Sequence, residues 1–456
     1  MTPALSNALL KTVLMTASFA CAALLLRDGL ALGLKVPLDP NEGWNAYHAL
    51  AAVGGGALYP HDGMTNNYPP LSFYVVGALG KSLGDAIIAG RLVSLAAFAA
   101  VAMGLASLIR QVGGAVLEGI FASLFFAAAL LITSDYVGID DPQLLGHALQ
   151  IEALVLLWRE RPAIVLAALL MAAGLFVKQN LFVLPLAAAV WLAGQDRRAL
   201  LRFCLYGTGL CIVGLLASWV VLDVNLLSEL ASPRLWTMAN LTAAVGRYLS
   251  WAALPLAFIA LMLWRFRRDP WMRFCALYAA IALACAIGFS AGDGVDANIF
   301  FDLDIAMALA AGLALGRMRA EWRGLMALCC TAPLALYLGL HFHDDNFSFT
   351  EAFQRQATPD IAFLALHDGP ALCETLALCY WAGKSATVDV FNMSEQFKTG
   401  ARSDDTLAAQ LGQRKFRSLQ FTSLGDFALG PKIHQALKAA YRVDHIDDNG
   451  AFLVPR

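Results

Sequence analysis

Charged residues are scarce in this sequence. Asp, Glu, Lys and Arg make up only 14% of its 456 residues, whereas soluble domains carry roughly a quarter. Hydrophobic residues account for 59%. This composition excludes an ordinary soluble protein and favours a membrane protein.

Three further features are missing. The net charge is −2, so the basic surface that a nucleic-acid partner requires is lacking. The sequence has no glycine-rich loop for a nucleotide phosphate. No cysteine–histidine group has zinc spacing, and we find neither an internal repeat nor a low-complexity segment.

Most of the nine cysteines lie in apolar stretches, where cysteine acts as a small buried hydrophobe. Cys373 and Cys379 lie instead in a polar region. They are six residues apart, which suits either a disulfide in an oxidising compartment or two free buried thiols.

Long apolar runs recur along residues 1–340. Several are free of charge over about 17 residues or more, the length that spans a bilayer. The pattern predicts eleven membrane spans, of which the fifth and sixth are short: 9–32, 86–109, 114–133, 143–158, 162–177, 180–193, 203–222, 248–264, 272–291, 299–316 and 324–340.

The connections between these spans alternate in charge. Arginines collect on one side, at 110, 159–161, 197–202, 265–273 and 317–323, and acidic residues collect on the other. The positive-inside rule makes the arginine-rich side cytoplasmic. The N-terminus is then cytoplasmic, and the polar segment 341–456 is outside. A signal peptide in place of the first span is the lesser alternative.

Segment 341–456 alternates short apolar runs (387–391, 418–422 and 451–454) with helix-like stretches such as 407–411. This pattern is typical of a small α/β domain. The predicted fold is therefore an all-α polytopic membrane domain, 1–340, followed by an α/β extracytoplasmic domain, 341–456.

The first outer loop, 34–85, is too long to be a simple connector, and residues 42–52 within it have helical character. Asp39 and Glu42 lie at its start. A carboxylate here, half desolvated by neighbouring aromatic residues, is a candidate general base. The alternative is that Glu42 is only a solvated charge at the start of a helix.

Other outer-face positions carry polar groups that a simple bundle does not need. Asp140 and Asp141 precede the fourth span, where Asp141 also suits a helix N-cap. Lys178 and Arg91 suit phosphate recognition, or else the lysine merely reaches toward the interface. The complete set of candidate substrate-binding residues is Tyr68, Arg91, Asp140, Asp141, Lys178, Gln179, Asn298 and Asp302.

Asp302 and Asp304 enter an otherwise apolar span. Because they are two residues apart, they point in different directions from a helix. Both cannot face lipid without a large cost, so we expect at least one to face a polar cavity. Asp39, Glu42 and Asp141 could also hold a divalent cation such as Mg²⁺ or Mn²⁺.

These features resemble the GT-C superfamily of polytopic glycosyltransferases, in particular bacterial enzymes related to protein O-mannosyltransferases and aminoarabinose transferases. The residues that carry the resemblance are Asn41-Glu42-Gly43, Tyr68-Pro69-Pro70, Gly90-Arg91-Leu92, Lys178-Gln179 and the stretch 298–304. Their order and sidedness are more specific than any one motif. Where this chain has Asn41, the family often has Asp.

The resemblance implies an inverting transfer from a polyprenyl-phosphate sugar in the bacterial inner membrane, with a periplasmic C-terminal domain. Glu42, or Asp39, would be the base, and the acceptor would be an envelope lipid, glycan or protein. A transporter or flippase of an amphipathic anionic substrate is the main alternative. An assembly protein would explain the outer domain but not the clustered acids.

Overall fold

The computed structural model describes residues 1–60, 64–132, 136–222, 225–341, 357–424 and 429–456. Asp62, Asp135 and Asp223, which belong to the predicted acidic side, lie outside the described residues, as does most of the predicted domain junction after 341.

The first part of the chain is helical. Its helices are α1 Pro3–Ala31, α2 Asn41–Gly54, α3 Leu71–Leu83, α4 Ala86–Gln111, α5 Val116–Ile132, α6 Gln143–Leu157, α7 Ile164–Val177, α8 Val183–Gln195, α9 Arg197–Val221, α10 Leu226–Leu230, α11 Met238–Arg265, α12 Pro270–Phe289, α13 Phe301–Arg317 and α14 Ala320–His341. A 3₁₀ turn, Ala297–Phe300, leads directly into α13.

Among the described residues, seven helices are long and apolar enough to cross a membrane: α1, α4, α9, α11, α12, α13 with its 3₁₀ turn, and α14. The other four predicted spans coincide with shorter apolar helices, α5 to α8. The chain is a multi-pass membrane protein, and each of the eleven predicted spans has its helix. The fifth and sixth predicted spans, which the sequence indicates are short, correspond to α7 and α8.

Helix α13 lies at the centre of the bundle. It is apolar over most of its length and buried from Phe301 to Leu315. It packs mainly against α5 and α12, and its core is continuous with that of α1, α4 and α6. A helix that is hydrophobic on all sides is expected to be surrounded by other helices.

The first outer loop contains two helices. The predicted helix at 42–52 is α2, and α3 is a second helix that the sequence analysis did not identify. They pack on each other and on the first turns of α4. Trp44 and Tyr47, which suit a membrane interface, are covered by protein instead: Trp44 is buried beside Tyr59 and Phe73.

The C-terminal part forms a four-stranded sheet in the order β1-β2-β4-β3, with β1 parallel to β2 and the other pairs antiparallel. Its elements are α15 Thr358–Leu366, β1 Ala371–Cys373, α16 Leu376–Trp381, α17 Val390–Lys398, α18 Asp405–Gly412, β2 Ser418–Phe421, α19 Pro431–Ala440, β3 Tyr441–Asp447 and β4 Gly450–Pro455. The predicted α/β class is confirmed. The run at 387–391 is not a strand, because Asp389 caps α17 there.

Cys373 and Cys379 form a disulfide that joins the end of β1 to α16. Helix α16 then docks on the membrane part. The Tyr380 hydroxyl oxygen accepts a hydrogen bond from the backbone N–H of Ala86 (2.8 Å), and the Trp381 indole donates to the Asp85 carboxylate (3.0 Å). The disulfide therefore fixes an element that contacts both parts of the chain.

Candidate active site

A cavity of about 630 Å³ lies where the membrane helices meet the C-terminal part. It is formed at the helix ends that carry the acidic connections: the start of α2, the loop before α6, the start of α11 and the segment between α12 and α13. Its charged lining residues are Asp39, Asp141, Arg234, Arg247, Asp293, Asp296, Glu374, Asp389 and Lys398.

Glu42 and Arg91 form a bidentate ion pair in which both side chains are 0% exposed. The guanidinium Nε donates to Glu42 Oε1 (2.6 Å) and Nη2 donates to Oε2 (2.7 Å). The remaining Arg91 donors bind backbone carbonyls at the last residue of α1, Ala31, and just after the helix, at Leu32, Leu34 and Val36. Glu42 also accepts the backbone N–H groups of Leu38 and Asp140.

This arrangement differs from the roles that the sequence suggests for the two residues. Glu42 neither lines the cavity nor has exposed surface, so in this conformation it does not meet the geometric requirement for a general base. Arg91 donates all of its N–H groups within the protein and has none left for a phosphate. The pair ties α2 and α4 to the segment after α1 and to the loop before α6.

Unlike Glu42, Asp39 lies at the surface of the cavity. It is half-buried and lines the cavity together with Asn41 and Trp44. The backbone N–H of Asn41 donates to Asp39 Oδ1 (2.7 Å). Helix α2 begins at Asn41 without a side-chain cap, so its positive N-terminal end faces the cavity beside Asp39.

Asp140 and Asp141 separate into two environments. Asp141 lines the cavity, and its Oδ1 accepts the backbone N–H of Gln143, the first residue of α6 (2.7 Å), although the N-cap position itself is occupied by Pro142. Asp140 does not line it. The Asp140 side chain packs on Gly90, where a Cβ would collide with it. Burial, together with the nearby Glu42 and Asp141 carboxylates, raises the pKa of Asp140 well above its usual range.

Lys178 lies directly behind the cavity wall. Its ammonium is 4.7 Å from the Tyr68 ring centroid, and Tyr68 lines the cavity. Burial disfavours the charged ammonium, but the Asp141 carboxylate and the Tyr68 hydroxyl outweigh it and raise the pKa of Lys178. Gln179 does not reach the cavity; its side chain donates to the Asn67 carbonyl (2.7 Å) and fixes the loop.

Three cavity carboxylates converge on Tyr136. Its hydroxyl donates to Asp296 (3.4 Å). Burial, and then the charges of Asp141, Asp296 and Asp39, raise the pKa of Tyr136 well above its usual range. Asp39 and Asp141, from different loops, therefore lie on the same side of the cavity.

In the 298–304 stretch, only Asn298 lines the cavity. Asp302 accepts from the Tyr278 hydroxyl (2.5 Å) and Asp304 from the Tyr248 hydroxyl (2.8 Å). The two acids thus point toward different helices, α12 and α11, as their spacing predicts. The substrate-binding role predicted for Asp302 finds no support in this geometry, because Tyr278 holds its carboxyl inside the bundle.

Sequence reasoning missed the cations of the cavity. Arg234 donates to the Asp293 carbonyl (2.9 Å), Arg247 lies 3.9 Å from Asp296, and Lys398 lies 3.1 Å from Asp293. A signal existed for two of them: Arg234 and Arg247 are arginines on an otherwise acidic side of the membrane. Nothing in the sequence pointed to Lys398, because it reaches the cavity only when α17 docks on the membrane part.

The proposed cation ligands do not come together. Glu42 is occupied by Arg91, while Asp39 and Asp141 lie apart from it in the lining. Among the described residues, the one group of three side chains that could share an ion is Asp360, His445 and Asp447, in the C-terminal part. The residues Asp39, Glu42 and Asp141 therefore do not fit a divalent cation site.

Solved structures of similar architecture exist. Over 96% of its length, the chain matches the crystal structure of ArnT from Cupriavidus metallidurans in the apo state, with a TM-score of 0.63, 13% identity and 97% of that chain covered. The same enzyme bound to undecaprenyl phosphate matches with a TM-score of 0.60, 12% identity and the same shares of both chains. The chain has the GT-C fold.

The predicted GT-C architecture is thereby confirmed over nearly the whole chain, including the C-terminal part. No family model matches the sequence, and none of the curated proteins compared with it matches. At 12–13% identity, the likeness concerns the fold. Roles for individual residues rest on the geometry described above.

Proposed function

We propose that this protein is an integral-membrane glycosyltransferase that moves a sugar from a polyprenyl-phosphate donor to a hydroxyl group of an envelope lipid, glycan or protein. The observation that carries the proposal is the cavity, which places cations and carboxylates together at one end of the membrane helices. The GT-C fold supports it, since an ArnT of this fold binds undecaprenyl phosphate.

The donor phosphate has a suitable environment on one side of the cavity. Arg234, Arg247 and Lys398 supply positive charge, and the N-terminal end of α2 adds the partial positive charge of the helix dipole. Arginine is well suited to phosphate because its planar guanidinium donates two parallel hydrogen bonds. The polyprenyl chain would extend from this point along the apolar surface of the helices.

Asp39 is our candidate for the general base. It lines the cavity, one of its oxygens is held by Asn41, and it lies close to the start of α2. Asp141, kept beside the Lys178 ammonium, is placed to bind hydroxyl groups of the sugar or the acceptor. Glu42 acts through Arg91 as a positioning residue for α2.

The reaction follows from these placements. The acceptor oxygen attacks the anomeric carbon on the face opposite the phosphate, and the bond between that carbon and the phosphate oxygen breaks. The proton of the acceptor hydroxyl passes to Asp39, and the lipid phosphate leaves with the electron pair, stabilised by the arginines. The configuration at the anomeric carbon is inverted.

We also propose that the cavity faces the periplasm of a bacterial inner membrane. The arginine-rich connections of the described helices all lie at the ends opposite the cavity, which are cytoplasmic by the positive-inside rule. The N-terminus would then be cytoplasmic, and the C-terminal part, with its disulfide, would lie in an oxidising compartment.

The decisive experiment is a transfer assay in proteoliposomes with a radiolabelled polyprenyl-phosphate sugar and extracted envelope material as acceptor. Wild type is expected to form a new glycosidic bond. Asp39→Asn should lower kcat by about 10²–10⁴-fold, the usual contribution of a general base. Asp368→Asn, an exposed acid remote from the cavity lining, is the matched control and should keep full activity.

Two results would overturn the proposal in different ways. If wild type carries the lipid-linked sugar across the bilayer without forming a glycosidic bond, the protein is a flippase. If transfer occurs but Asp39→Asn retains it fully, the enzyme class stands and the base must be another residue, with Asp141→Asn as the next variant.

A further inference from the structure

A second cluster of polar side chains lies in the C-terminal part, among residues that do not line the cavity. Asp360 comes from the first turn of α15, and His445 and Asp447 come from β3. One ligand atom from each lies within 4.8 Å of the others. Because His445 and Asp447 are two residues apart on a strand, their side chains project from the same face.

The imidazole of His445 is held in a fixed orientation. It stacks on Phe452, its partner across the sheet, with ring centroids 4.6 Å apart and planes 6° apart. The Phe363 ring packs edge-to-face against the imidazole, with ring centroids 4.9 Å apart. A register shift between Val443 and His445 interrupts the β3–β4 pairing at this point, and bulges of this kind turn side chains toward a site.

Nitrogen Nδ1 of His445 lies 3.0 Å from a carboxylate oxygen of Asp444. A carboxylate can only accept, so Nδ1 carries the proton, and in the neutral ring the lone pair is at Nε2. That atom is 3.8 Å from Asp360 Oδ1 and 3.8 Å from Asp447 Oδ2. Both distances are too long for hydrogen bonds.

Asn449 holds the other oxygen of each acid. Its side-chain amide donates to Asp360 Oδ2 (2.6 Å), and its backbone N–H donates to Asp447 Oδ1 (2.8 Å). Asp360 is 4% exposed, so it brings a largely buried carboxyl group to the cluster. One oxygen of each acid is thus anchored, while the other lies 3.8 Å from Nε2 of the imidazole.

Three atoms that all carry lone pairs therefore converge on one point from two elements. Zinc binds imidazole nitrogen and carboxylate oxygen at about 2.0–2.2 Å, and atoms 3.8 Å apart can both lie at that distance from a common centre. The Asp444–His445 contact has the form that orients metal-bound histidines.

We propose that Asp360, His445 and Asp447 form a site for a divalent transition-metal ion of the Zn²⁺ or Mn²⁺ class. An imidazole ligand favours these ions over Ca²⁺ and Mg²⁺, which prefer oxygen alone. Asp447 and His445 are partly exposed, so an ion can enter from solvent. Once bound, it would clamp α15 to the β3–β4 hairpin and stabilise the C-terminal part.

The test uses the purified full-length protein in detergent, stripped with a chelator and titrated with Zn²⁺, Mn²⁺ or Ca²⁺ by calorimetry. Wild type should bind one equivalent of Zn²⁺ or Mn²⁺ in excess of any nonspecific binding. His445→Ala and Asp447→Asn should lose this binding. Asp444→Asn should weaken it on the order of 10-fold, because Asp444 only orients the histidine.

Asp448→Asn is the matched control, since Asp448 is an exposed acid next to the cluster, and it should bind as wild type does. The thermal midpoint of wild type should rise with added Zn²⁺ or Mn²⁺, whereas that of Asp447→Asn should not. This partly exposed ligand is the variant least able to disturb folding.

Three outcomes would refute the site. Wild type could bind neither Zn²⁺ nor Mn²⁺, which would leave the cluster as a contact between α15 and β3 with no ion. His445→Ala and Asp447→Asn could bind as tightly as wild type. Ca²⁺ could bind more tightly than both transition metals, which would refute the proposed ion class.

Discussion

Glu42 shows how far the role of a single residue depends on its partner. The sequence marks it as an acid at a membrane surface, and acids in such places usually serve a site. The structure gives it Arg91 and two backbone N–H donors instead. Its charge is fully used in holding α2, so its importance would be structural.

Substitution of Glu42 should therefore reduce stability. Glu42→Gln leaves the Arg91 charge buried without its counter-charge, and breaking a buried pair in this way costs about 3–5 kcal/mol. We expect a lower thermal midpoint in detergent and activity that falls only in proportion to the folded fraction. Asp39→Asn, the comparison variant, should keep the wild-type midpoint. A Glu42→Gln protein with unchanged stability and no activity would make Glu42 the base after all.

His48 makes a pH-dependent contribution to the stability of the folded protein. Burial lowers its pKa from 6.5 to about 3, and its Nε2 has no hydrogen-bond partner among the described residues. The folded protein keeps the ring neutral, whereas the unfolded chain binds a proton below pH 6.5. The stabilisation is therefore complete above pH 6.5 and is lost as the pH falls toward 3.

Between pH 7 and pH 5, this group alone should lower the free energy of unfolding by about 2 kcal/mol. Thermal midpoints measured across this range should fall in wild type and fall less in His48→Gln. Equal slopes for the two proteins would show that His48 does not carry the effect.

Among single residues, the sequence located Asp39, Asp141, Tyr68 and Asn298, all of which line the cavity. It could not separate Asp140 from Asp141, because adjacent loop residues differ only in the direction that the folded loop gives them. It also could not tell a cation that faces a cavity from one that closes an ion pair, which is why the sequence suggests phosphate binding for Arg91.

At the scale of elements, the contact between α2 and α16 joins the two parts of the protein. Gly43 lies in this contact, and a Cβ at Gly43 would collide with the backbone of Leu376 and Ala377. The Tyr47 hydroxyl extends the contact by donating to the Lys384 carbonyl (2.7 Å). Leu376 itself lines the cavity, so docking shapes the site.

Gly43→Ala should disturb this docking. Overpacking in a well-packed interface typically costs about 1–3 kcal/mol, and here the obstacle is backbone, which cannot rotate away. We expect a lower thermal midpoint and faster limited proteolysis of the C-terminal part. Gly54→Ala is the matched control in the same helix, because a Cβ there meets nothing within 4 Å. Equal behaviour of the two variants would contradict the docking contact.

Most membrane helices were predictable as elements because apolar length and charged flanks are local properties. Helix α3 was missed because Leu71–Leu83 has only 13 residues, too few to cross a bilayer. In the C-terminal part, β1 and β3 were missed. Strand β1 has three residues, and β3 is mostly exposed and polar, so neither shows an apolar run.

At the scale of the whole molecule, one end of the bundle is basic and the other carries the cavity. If the arginine-rich end is cytoplasmic, a green fluorescent protein fused after Arg161 should fluoresce, and alkaline phosphatase fused after Arg456 should be active. Alkaline phosphatase after Arg161 is the control and should be inactive. The reverse pattern would place the cavity in the cytoplasm and remove the periplasmic assignment.

The sequence by itself determined the membrane class, the positions of the eleven predicted spans, the two-sided charge pattern and the α/β character of the C-terminal part. These follow from hydrophobic length and periodicity, which act between neighbours in the chain. Only the tertiary structure decided which charged groups face the cavity. Glu42 and Arg91 are 49 residues apart, and Lys398 reaches the cavity from the C-terminal part of the chain. Contacts between such distant residues depend on how the helices pack and dock, which no local sequence pattern predicts.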